Sequence, residues 1–329
     1  MQISVLGDGG WGTALAQTLA GNGHKVLLWG AFPEYTQIIA ESGENPKFLP
    51  GVKLHANIEP VAEIARAATG DVVVLASPTQ FMRATLNAFA PHFEVRRHKL
   101  VNVAKGIEEK TLMRISEVTL DVLGPHSYCV LSGPSHAEEV ARGVPTAITA
   151  AAQQPDDAKA VQALFMNGFL RVYTSSDIVG VELGGALKNV IALAAGIIDG
   201  MNLGDNPKAA LLTRGIAEMG RLGEKLGGNA ATFAGLSGIG DLFVTCSSRH
   251  SRNRHVGEEL GRGKKLADIT AAMNMSVAEG VRSAPGAYQL ARRANVETPI
   301  INEIYSVLYD NKPPADAIAA LMARDPKME

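Results

Sequence analysis

The chain has 329 residues, which is enough for about two domains that each bury a hydrophobic core. Hydrophobic residues make up 46% of the sequence, charged residues make up 19%, and the formal net charge is −2. This composition excludes a disordered chain and does not fit a general polyanion-binding protein. The two cysteines, Cys129 and Cys246, are too few for a disulfide framework or a structural zinc site, so we expect a reducing compartment.

The start of the sequence predicts a location. An apolar strand pattern at residues 2–6 has no cationic region ahead of it, which is unlike a signal peptide. No later run is expected to reach the roughly 18 apolar residues that a membrane span needs. We therefore expect a cytoplasmic protein without a membrane span.

The first half of the chain alternates between short apolar runs and segments of helical periodicity. Several runs are continuously apolar, as in Val72-Val73-Val74-Leu75-Ala76, which is typical of strands covered by helices on both faces. The pattern therefore predicts an α/β fold with a doubly wound parallel sheet. The predicted strands are 2–6, 25–29, 71–76, 99–103, 127–131, 146–150 and 169–174.

After about residue 177 the sequence changes character and predicts an all-helical second part. Leu, Ala, Gly and Met recur at helical spacing there, whereas β-branched residues no longer cluster in short runs. We therefore predict two domains, 1–177 and 178–329. The predicted helices of the second domain are 178–199, 206–226, 266–274, 283–294, 299–310 and 314–323.

A glycine-rich turn follows the first predicted strand. Gly7, Gly9 and Gly12 match the pattern G-x-G-x-x-G between strand 2–6 and a helical segment. The first glycine of this pattern turns the chain, the second lets the backbone approach a pyrophosphate, and the third lets the helix pack close to the strand. The N–H groups at the helix start then bind the anion. The turn predicts a Rossmann-like dinucleotide-binding domain over 1–177, and the alternative is a tight turn without a ligand.

The choice between NAD and NADP stays open. The second strand of such a domain usually presents Asp or Glu to the ribose 2′-hydroxyl of NAD, or has an Arg nearby for the 2′-phosphate of NADP. Here the strand 25–29 is followed by Gly30-Ala31-Phe32-Pro33-Glu34, which offers neither at the strand end.

Lys188 lies in the middle of a helical segment that is apolar on nearly all sides. Burial would lower the pKa of its ammonium group and suit it to act as a general base toward an alcohol, or as a general acid toward a carbonyl. The alternative is a lysine that reaches solvent or pairs with Glu182. The residues on its own face are mostly too small to enclose it, namely Gly184, Gly185, Ile191, Ala192 and Ala195.

The segment 235–254 combines glycines, hydroxyl groups, an amide and three arginines. A guanidinium group binds two phosphate oxygens at once, and Ser and Asn add neutral donors. The segment therefore predicts a phosphate site on a loop, and the alternative is a solvated basic loop. His250 and His255 have no acidic or cysteine partner at ligand spacing, so we expect no metal.

Two further segments place polar groups beyond predicted strands. Lys105 follows the strand 99–103, and Ser132-Gly133-Pro134-Ser135-His136-Ala137 follows the strand 127–131. Ligands of open α/β sheets bind beyond the carboxyl ends of the strands. We therefore expect Lys105 to belong to a site, and the alternative is a surface lysine.

Taken in chain order, these segments resemble the bacterial type of NAD(P)-dependent glycerol-3-phosphate dehydrogenase from Gly7 to about Tyr309. Each motif is weak alone, and the ordered set is specific. The motifs are Gly7-x-Gly9-Gly10-Trp11-Gly12-Thr13-Ala14-Leu15, Ala104-Lys105-Gly106-Ile107-Glu108, Ser132-Gly133-Pro134-Ser135, Leu183-Gly184-Gly185-Ala186-Leu187-Lys188-Asn189-Val190-Ile191, Gly238-Ile239-Gly240-Asp241-Leu242, Thr245-Cys246, Ser251-Arg252-Asn253-Arg254 and Glu279-Gly280.

The resemblance implies an enzyme that interconverts glycerone phosphate and sn-glycerol 3-phosphate by hydride transfer and supplies phospholipid synthesis. It implies a Rossmann domain, a helical substrate domain, NAD or NADP as cofactor, a small phosphorylated substrate, no nucleic-acid partner and a homodimer. A different two-domain hydroxyacid or ketoacid reductase, which would bind a carboxylate, stays open as an alternative. So does a dinucleotide-binding regulator without turnover, which would not need Lys188 and Lys105.

The resemblance also implies roles for individual residues. Lys188 would donate and accept the proton, and Lys105 would lie beside the reacting oxygen and the nicotinamide. Asp241 joins them as a catalytic residue that orients the substrate and the lysine. Further substrate-binding residues would be Asn189, Thr245, Ser251, Arg252 and Asn253, with Gly133 and Ser135 beside the phosphate. Cofactor-binding residues would be Gly7, Gly9, Gly10, Trp11, Gly12, Ala31, Lys105, Ala137, Arg252, Val277 and Glu279.

Two positions depart from the family's usual pattern. Ala31 stands where His or Arg is frequent, which removes a contact that could favour the 2′-phosphate. Gly10 stands where Ser is common, and we expect little change there because only the backbone is needed.

Overall fold

A computed structural model describes residues 1–273, 278–326 and 328 of the chain. The chain forms two compact units. The first, called here the sheet unit, comprises Met1–Lys105 and Met113–Glu182, and the second, called here the helical unit, comprises Gly106–Leu112 and Leu183–Glu329.

The sheet unit is built on an eight-stranded sheet with the order β10-β9-β8-β7-β6-β1-β2-β5. A separate two-stranded antiparallel ladder joins β3 to β4. The strands are β1 (Gln2–Leu6), β2 (Lys25–Trp29), β3 (Glu44–Asn45), β4 (Leu49–Lys53), β5 (Ile58–Val61), β6 (Val72–Leu75), β7 (Lys99–Asn102), β8 (Tyr128–Ser132), β9 (Thr146–Ala152) and β10 (Leu170–Ser175).

All seven predicted strands are confirmed, and the predicted α/β class with them. The parallel prediction is wrong at one ladder, because β9 runs antiparallel to β8 while every other neighbouring pair of the large sheet is parallel. The sequence analysis also missed β3, β4 and β5. Strand β5 contains Pro60, which the sheet tolerates because β5 lies at its edge beside β2.

Alternate residues of the central strands pack on opposite faces of the sheet. In β6, Val72 and Val74 join one buried cluster with Leu15 and Phe165, whereas Val73 and Leu75 join another. Both faces of β6 are therefore apolar, and its continuous apolar run is the consequence. The helices of the sheet unit are α1 (Gly10–Gly21), α2 (Pro33–Ser42), α3 (Ile64–Ala67), α4 (Thr79–Phe89), α5 (Ile115–Leu123), α6 (Ala137–Val140) and α7 (Pro155–Phe165), with a 3-10 turn at Ala90–His92.

The strand order changes direction at β1, which lies between β2 and β6. In open α/β sheets the crevice beyond the carboxyl ends of the strands at such a point binds ligands. The glycine-rich turn that follows β1 lies at this crevice.

The second part of the chain is helical, as predicted. Helix α8 (Ile178–Gly200) leads to α9 (Asp205–Lys225), α10 (Ala230–Phe233), a π-helical turn (Leu236–Gly240), α11 (Asp241–Ser247), α12 (Arg252–Gly261), α13 (Leu266–Ala272), α14 (Glu279–Arg293), α15 (Pro299–Tyr309) and α16 (Pro314–Met322). All six predicted helices are present, although α14 begins four residues earlier than its predicted start at 283. The predicted end of 266–274 lies outside the described residues.

The loop predicted over 235–254 is wrong, because most of this segment is helical. Helix α12 carries few large apolar residues, so its periodicity is weak in the sequence. Instead of an apolar stripe, glycines in both helices let the backbone of α12 pack closely against that of α8. A Cβ atom on Gly257 would overlap the carbonyl oxygen of Leu193 in α8, and one on Gly196 of α8 would lie 2.7 Å from the backbone nitrogen of Glu258.

Two segments of the described chain are long and apolar enough to cross a membrane by length and composition, which corrects the expectation that none reaches that composition. The most apolar 18-residue window of α8 has a mean hydropathy of 1.6 and is entirely buried inside the protein, as in the core helix of a folded domain. The second segment, Ala230–Ser247, combines α10, the π-helical turn and α11, and 39% of its window is buried.

Candidate functional site

The glycine-rich turn between β1 and α1 has the geometry that its sequence predicts. Gly7 has a φ of +134°, which L side chains rarely adopt, and a Cβ atom there would lie 2.5 Å from the carbonyl carbon of Ala76. A Cβ atom on Gly12 would overlap the carbonyl oxygen of Gly7. The Gly7 N–H donates to the carbonyl of Trp29 over 3.0 Å, which ties the turn to the end of β2.

The space above this turn fits a dinucleotide pyrophosphate. A Cβ atom on Gly9 would meet no atom of the described residues within 4 Å, so the backbone is open to an approaching group there. Gly9 precedes the first residue of α1, where the N–H groups of the first turn have no partner within the helix and the helix dipole is positive. Both features suit an anion.

Gly10, which stands where Ser is common in the family, leaves no room for a side chain in this chain. A Cβ atom on Gly10 would lie 2.6 Å from the carbonyl oxygen of Phe48 and 3.6 Å from the Cβ atom of Ala137. The segment between β3 and β4 therefore requires glycine at this position. Trp11 and Ala137 both pack against the buried cluster that Ala14, Leu49 and Val52 form.

Asp8, the residue between the first two glycines, was missed by sequence reasoning because the motif accepts any side chain there. Its Oδ2 atom is buried and has no hydrogen-bond partner in the described part of the chain. Burial raises the pKa of this carboxyl to about 6, against the opposing effects of a hydrogen bond from its own backbone and of the Lys47 charge. A charged residue inside a glycine-rich turn was the signal in the sequence.

Lys105 lies beyond the carboxyl end of β7 and contacts the turn that follows β8. Its Nζ donates to the carbonyl oxygen of Gly133 over 2.8 Å and to the Ser135 hydroxyl over 3.3 Å. Gly133 has a φ of +141° and would place a Cβ atom 3.0 Å from the Cα of Ile148. The structure therefore brings Lys105, Gly133 and Ser135 together within the sheet unit.

Lys188 is buried in the helical unit, where only 6% of its surface is exposed. Its Nζ donates to Asp241 Oδ1 over 2.5 Å and to the Thr245 hydroxyl over 2.7 Å. The Thr245 hydroxyl in turn donates to the Asp241 carbonyl over 2.7 Å. Because Asp241 and Thr245 lie one turn apart on α11, the helix missed by the sequence analysis presents both groups to the lysine.

The alternative partner for Lys188, Glu182, is engaged elsewhere. Glu182 accepts from Arg114 Nη1 and from the Ser116 N–H over 2.9 Å each, and from the Tyr128 hydroxyl over 2.5 Å. These contacts hold the start of α8 within the sheet unit. The alternative interpretation, in which Lys188 reaches solvent or pairs with Glu182, is therefore excluded.

A second polar group lies next to Lys188 along the chain. Asn253 Nδ2 donates to Asn189 Oδ1 over 2.9 Å, and Asn253 Oδ1 accepts from the Gly280 N–H over 2.8 Å. A Cβ atom on Gly280 would overlap the carbonyl oxygen of Asn189. Helices α8, α12 and α14 therefore meet at these amides.

The arginines near the start of α12 differ in their surroundings. Arg254 is bound by acidic residues, with Nε 2.6 Å from Asp199 Oδ2. Arg252 is exposed and makes no ion pair with any residue that the structure describes. Ser251 caps the helix, its hydroxyl accepting from the Arg254 N–H over 3.2 Å. Of these two arginines, Arg252 is the one whose charge is not already used by the fold.

The remaining implied cofactor contacts fall on three positions. Ala31 is exposed two residues after the end of β2, and Glu279 is the first residue of α14. Val277 lies outside the described residues.

Both halves of the chain match models of one protein family. The model described as NAD-dependent glycerol-3-phosphate dehydrogenase N-terminus matches residues 2–158, and the model for its C-terminus matches residues 177–319.

Individual relatives agree with these models over the full length. The chain is 51% identical to a glycerol-3-phosphate dehydrogenase [NAD(P)+] of Moorella thermoacetica, over 98% of this chain and 96% of that protein. It is also 51% identical to the glycerol-3-phosphate dehydrogenase [NAD(P)+] of Geobacter metallireducens, over 100% of this chain and 98% of that protein. A crystal structure of glycerol-3-phosphate dehydrogenase from Coxiella burnetii superposes with a TM-score of 0.95 at 33% identity, over 98% of this chain and 99% of that one.

Proposed function

The chain belongs to the NAD-dependent glycerol-3-phosphate dehydrogenase family, and we propose from this membership that it interconverts glycerone phosphate and sn-glycerol 3-phosphate with NAD or NADP. The observation that carries the proposal is the buried Lys188 ammonium held by Asp241 and Thr245. A regulator without turnover would not need this arrangement, because burying a charged pair is costly and does nothing for nucleotide binding.

The nicotinamide cofactor supplies the acceptor or donor of hydride when bound. We assign its pyrophosphate to the N–H groups at the start of α1, above Gly9. Domain 1–177 would therefore bind the dinucleotide. The further residues that we assign to contacts with the cofactor are Gly7, Gly10, Trp11, Gly12, Ala31, Lys105, Ala137, Arg252, Val277 and Glu279.

We assign proton transfer to Lys188. Reduction of the ketone adds hydride to carbon and a proton to oxygen, and oxidation of the alcohol removes both. The Lys188 Nζ holds a transferable proton, and the Asp241 carboxylate and Thr245 hydroxyl fix the position of that nitrogen. Lys105 is assigned to the reacting oxygen, and its contacts with Gly133 and Ser135 hold its ammonium in place.

We assign the substrate phosphate to the start of α12, in domain 178–329. Arg252 carries the charge, while the Ser251 and Asn253 side chains lie on either side of it in sequence, at the positive end of the helix dipole. Asn189, which binds Asn253, would orient the substrate from α8. Gly133 and Ser135 are assigned to the same phosphate.

Three broader assignments belong to this proposal. The enzyme would act in the cytoplasm, would form a homodimer, and would supply glycerol 3-phosphate for phospholipid synthesis. Sedimentation at several protein concentrations tests the dimer, which a single monomeric species would contradict.

The activity is tested by following nicotinamide absorbance with the purified chain, glycerone phosphate, and NADH or NADPH in turn. We expect oxidation of at least one cofactor only when glycerone phosphate is present. A 2-ketoacid in place of glycerone phosphate serves as the control for a carboxylate-specific reductase. Turnover of the ketoacid alone, or cofactor binding without any turnover, would contradict the proposal.

A further inference from the structure

The end of β2 lacks the acidic residue that commonly reads the ribose in dinucleotide-binding domains. The residue there is Gly30, and Ala31 follows it. A carboxylate at this place normally accepts a hydrogen bond from the ribose 2′-hydroxyl of NAD and disfavours the 2′-phosphate of NADP. Without such a group, the strand itself gives the protein no means of telling the two cofactors apart.

The structure supplies a carboxylate at this place from another part of the chain. A Cβ atom on Gly30 would overlap Asp8 Oδ2 and would lie 2.5 Å from the Thr36 hydroxyl oxygen and 2.8 Å from Asp8 Cγ. The Asp8 carboxyl and the Thr36 hydroxyl therefore share the space of a side chain at residue 30. Strands β1 and β2 are parallel, and their register pairs Leu6 with Trp29. This pairing places the glycine-rich turn beside the end of β2, so that Asp8 can take the place of an acidic residue at the end of that strand.

One oxygen of the Asp8 carboxyl is available to accept a hydrogen bond from a bound ligand. Its Oδ2 atom is buried and has no hydrogen-bond partner within residues 1–273, 278–326 and 328. Buried polar atoms are nearly always paired, so an oxygen left unpaired beside a ligand crevice indicates a ligand group that completes the pair. Its backbone carbonyl, in contrast, accepts from Asn45 Nδ2 over 2.7 Å, which fixes the residue.

We propose that Asp8 makes the protein prefer NAD over NADP, by accepting a hydrogen bond from the ribose 2′-hydroxyl and repelling a 2′-phosphate. The proposal rests on the dinucleotide binding in the proposed function. It names a specificity-determining residue that lies inside the glycine-rich turn instead of at the end of β2.

Two other titratable groups interact with Asp8, one by shifting its pKa and one whose own pKa Asp8 shifts. Lys47, between β3 and β4, is exposed and lowers the pKa of the carboxyl, and its Nζ lies 5.1 Å from the Phe48 ring. The Tyr35 hydroxyl of α2 has its pKa raised, first by burial and also by the Asp8 charge. Lys47 is the rival determinant, because an ammonium could pair with a 2′-phosphate and favour NADP.

Cofactor binding, without substrate, tests the proposal directly. The dissociation constants of NADH and NADPH are measured by calorimetry on the full chain at about pH 8, where a carboxyl with a pKa of about 6 is ionised. We expect wild type to bind NADH about tenfold to a hundredfold more tightly than NADPH, the range of one charge-assisted hydrogen bond. Asp8→Asn should bring the two affinities to within a few-fold.

Two matched variants separate Asp8 from its surroundings. Glu34→Gln removes an exposed carboxylate four residues after Gly30 and should leave the NADH preference unchanged. Lys47→Gln should leave the preference for NADH unchanged or increase it. A preference of wild type for NADPH that Lys47→Gln abolishes, or an NADH preference that Asp8→Asn leaves intact, would overturn the proposal.

The pH dependence of wild type gives a test that needs no variant. Between about pH 8 and pH 5 the Asp8 carboxyl gains its proton, so the NADH preference should shrink. The 2′-phosphate also titrates in this range, and the remaining change in Asp8→Asn measures that contribution. A preference that stays constant in wild type contradicts the role of Asp8.

Failure of this proposal is distinct from failure of the proposed function. If wild type binds NADH selectively but does not oxidise it with glycerone phosphate, the function is wrong while Asp8 keeps its role. If it oxidises NADH and NADPH equally well and binds them equally, the function stands and the role of Asp8 is wrong.

Discussion

The ion pair between Lys188 and Asp241 stabilises a charge that the helix alone could not hold. Asp241 is 1% exposed and Lys188 is 6% exposed, so both are largely removed from water. Removing one partner of such a pair leaves the other charge buried without compensation, which costs about 3–5 kcal/mol. Replacing both partners by neutral groups avoids most of that cost. Stability and catalysis can therefore be separated at this site.

We predict that Lys188→Met lowers both stability and turnover, whereas Lys188→Met combined with Asp241→Asn recovers much of the stability and none of the turnover. The reason is that the proton must move with the hydride, and loss of a general acid or base costs typically 10²–10⁴-fold. Thermal unfolding and glycerone phosphate reduction measure the two effects. Lys208→Met, which removes a lysine paired with Asp199, is the control. A double variant that keeps more than half of wild-type turnover would contradict the assignment of proton transfer to Lys188.

The guanidinium of Arg252 is expected to act through its planar shape as well as its charge. Arg252→Lys keeps the charge and loses the two parallel hydrogen bonds, so kcat/KM for glycerone phosphate should fall. Because binding of the distant phosphate also orients the reacting carbon, kcat should fall too.

Dihydroxyacetone, which lacks the phosphate, gives the sharper measurement for Arg252. Wild type should strongly prefer glycerone phosphate, and Arg252→Lys should discriminate much less between the two. Arg249→Lys, a change at a nearby exposed arginine, should keep the wild-type preference. An unchanged preference in Arg252→Lys would place the phosphate elsewhere.

At the level of residues, the sequence could predict groups that belong to a local motif. Gly7 and Gly12 follow from the strand, turn and helix around them, and Lys188 follows from its apolar helix. The partner of Lys188 could not be derived from spacing, because Asp241 is brought to it by packing between helices far apart in sequence. Asp8 was missed because the glycine motif accepts any side chain there, and its place beside Gly30 depends on how β1 pairs with β2.

At the level of elements, strands and helices with strong apolar periodicity were predicted and those without it were not. Helix α8 and strand β6 are apolar on all sides, and both were found. Helix α12 was missed because small residues replace the apolar stripe. Close packing of backbones is invisible to a periodicity analysis, since glycine adds no hydrophobic signal. The antiparallel ladder of β8 with β9 was missed because strand direction leaves no mark in the composition of a strand.

We predict that the contact between α8 and α12 depends on glycine at position 257. Gly257→Ala would place a Cβ atom on the backbone of Leu193, 2.9 Å from its carbonyl carbon, and should lower stability by about 1–3 kcal/mol or more because the helices must separate. Gly220→Ala on α9 is the control. Among the described residues its Cβ atom would meet only Phe233 Cβ, at 3.9 Å, so the better helix propensity of alanine should raise stability by about 0.5–1 kcal/mol. Urea unfolding measures both, and equal effects of the two variants would contradict this packing.

At the level of the whole molecule, the formal net charge of −2 leaves little general repulsion to drive unfolding near neutral pH. The pH dependence of stability should then reflect individual buried groups whose pKa changes on folding. Glu218 on α9 is the clearest such group. It is 2% exposed, and it accepts hydrogen bonds from the N–H groups of Ile300 and Ile301 at the start of α15.

Burial raises the pKa of Glu218 to about 7 from 4.5, although the hydrogen bonds from Ile300 and Ile301 and the charges of Arg221 and Arg324 oppose the shift. Between pH 4.5 and about pH 7, Glu218 is therefore protonated in the folded chain and ionised in the unfolded chain. Stability from this group is therefore fully present below about pH 4.5 and is lost as the pH rises toward 7, by about 3 kcal/mol in all.

We predict that Glu218→Gln removes this loss, because glutamine can still accept a hydrogen bond from the start of α15 and does not titrate. Urea unfolding from about pH 4.5 to pH 8 should show a stability curve for the variant that declines less than that of wild type, and the difference between the two curves should develop mainly between pH 4.5 and 7. Glu224→Gln, at an exposed position of the same helix, should leave the wild-type curve unchanged. Parallel curves for wild type and Glu218→Gln would mean that Glu218 is ionised in the folded protein throughout this range, and that the N–H groups of α15 outweigh its burial.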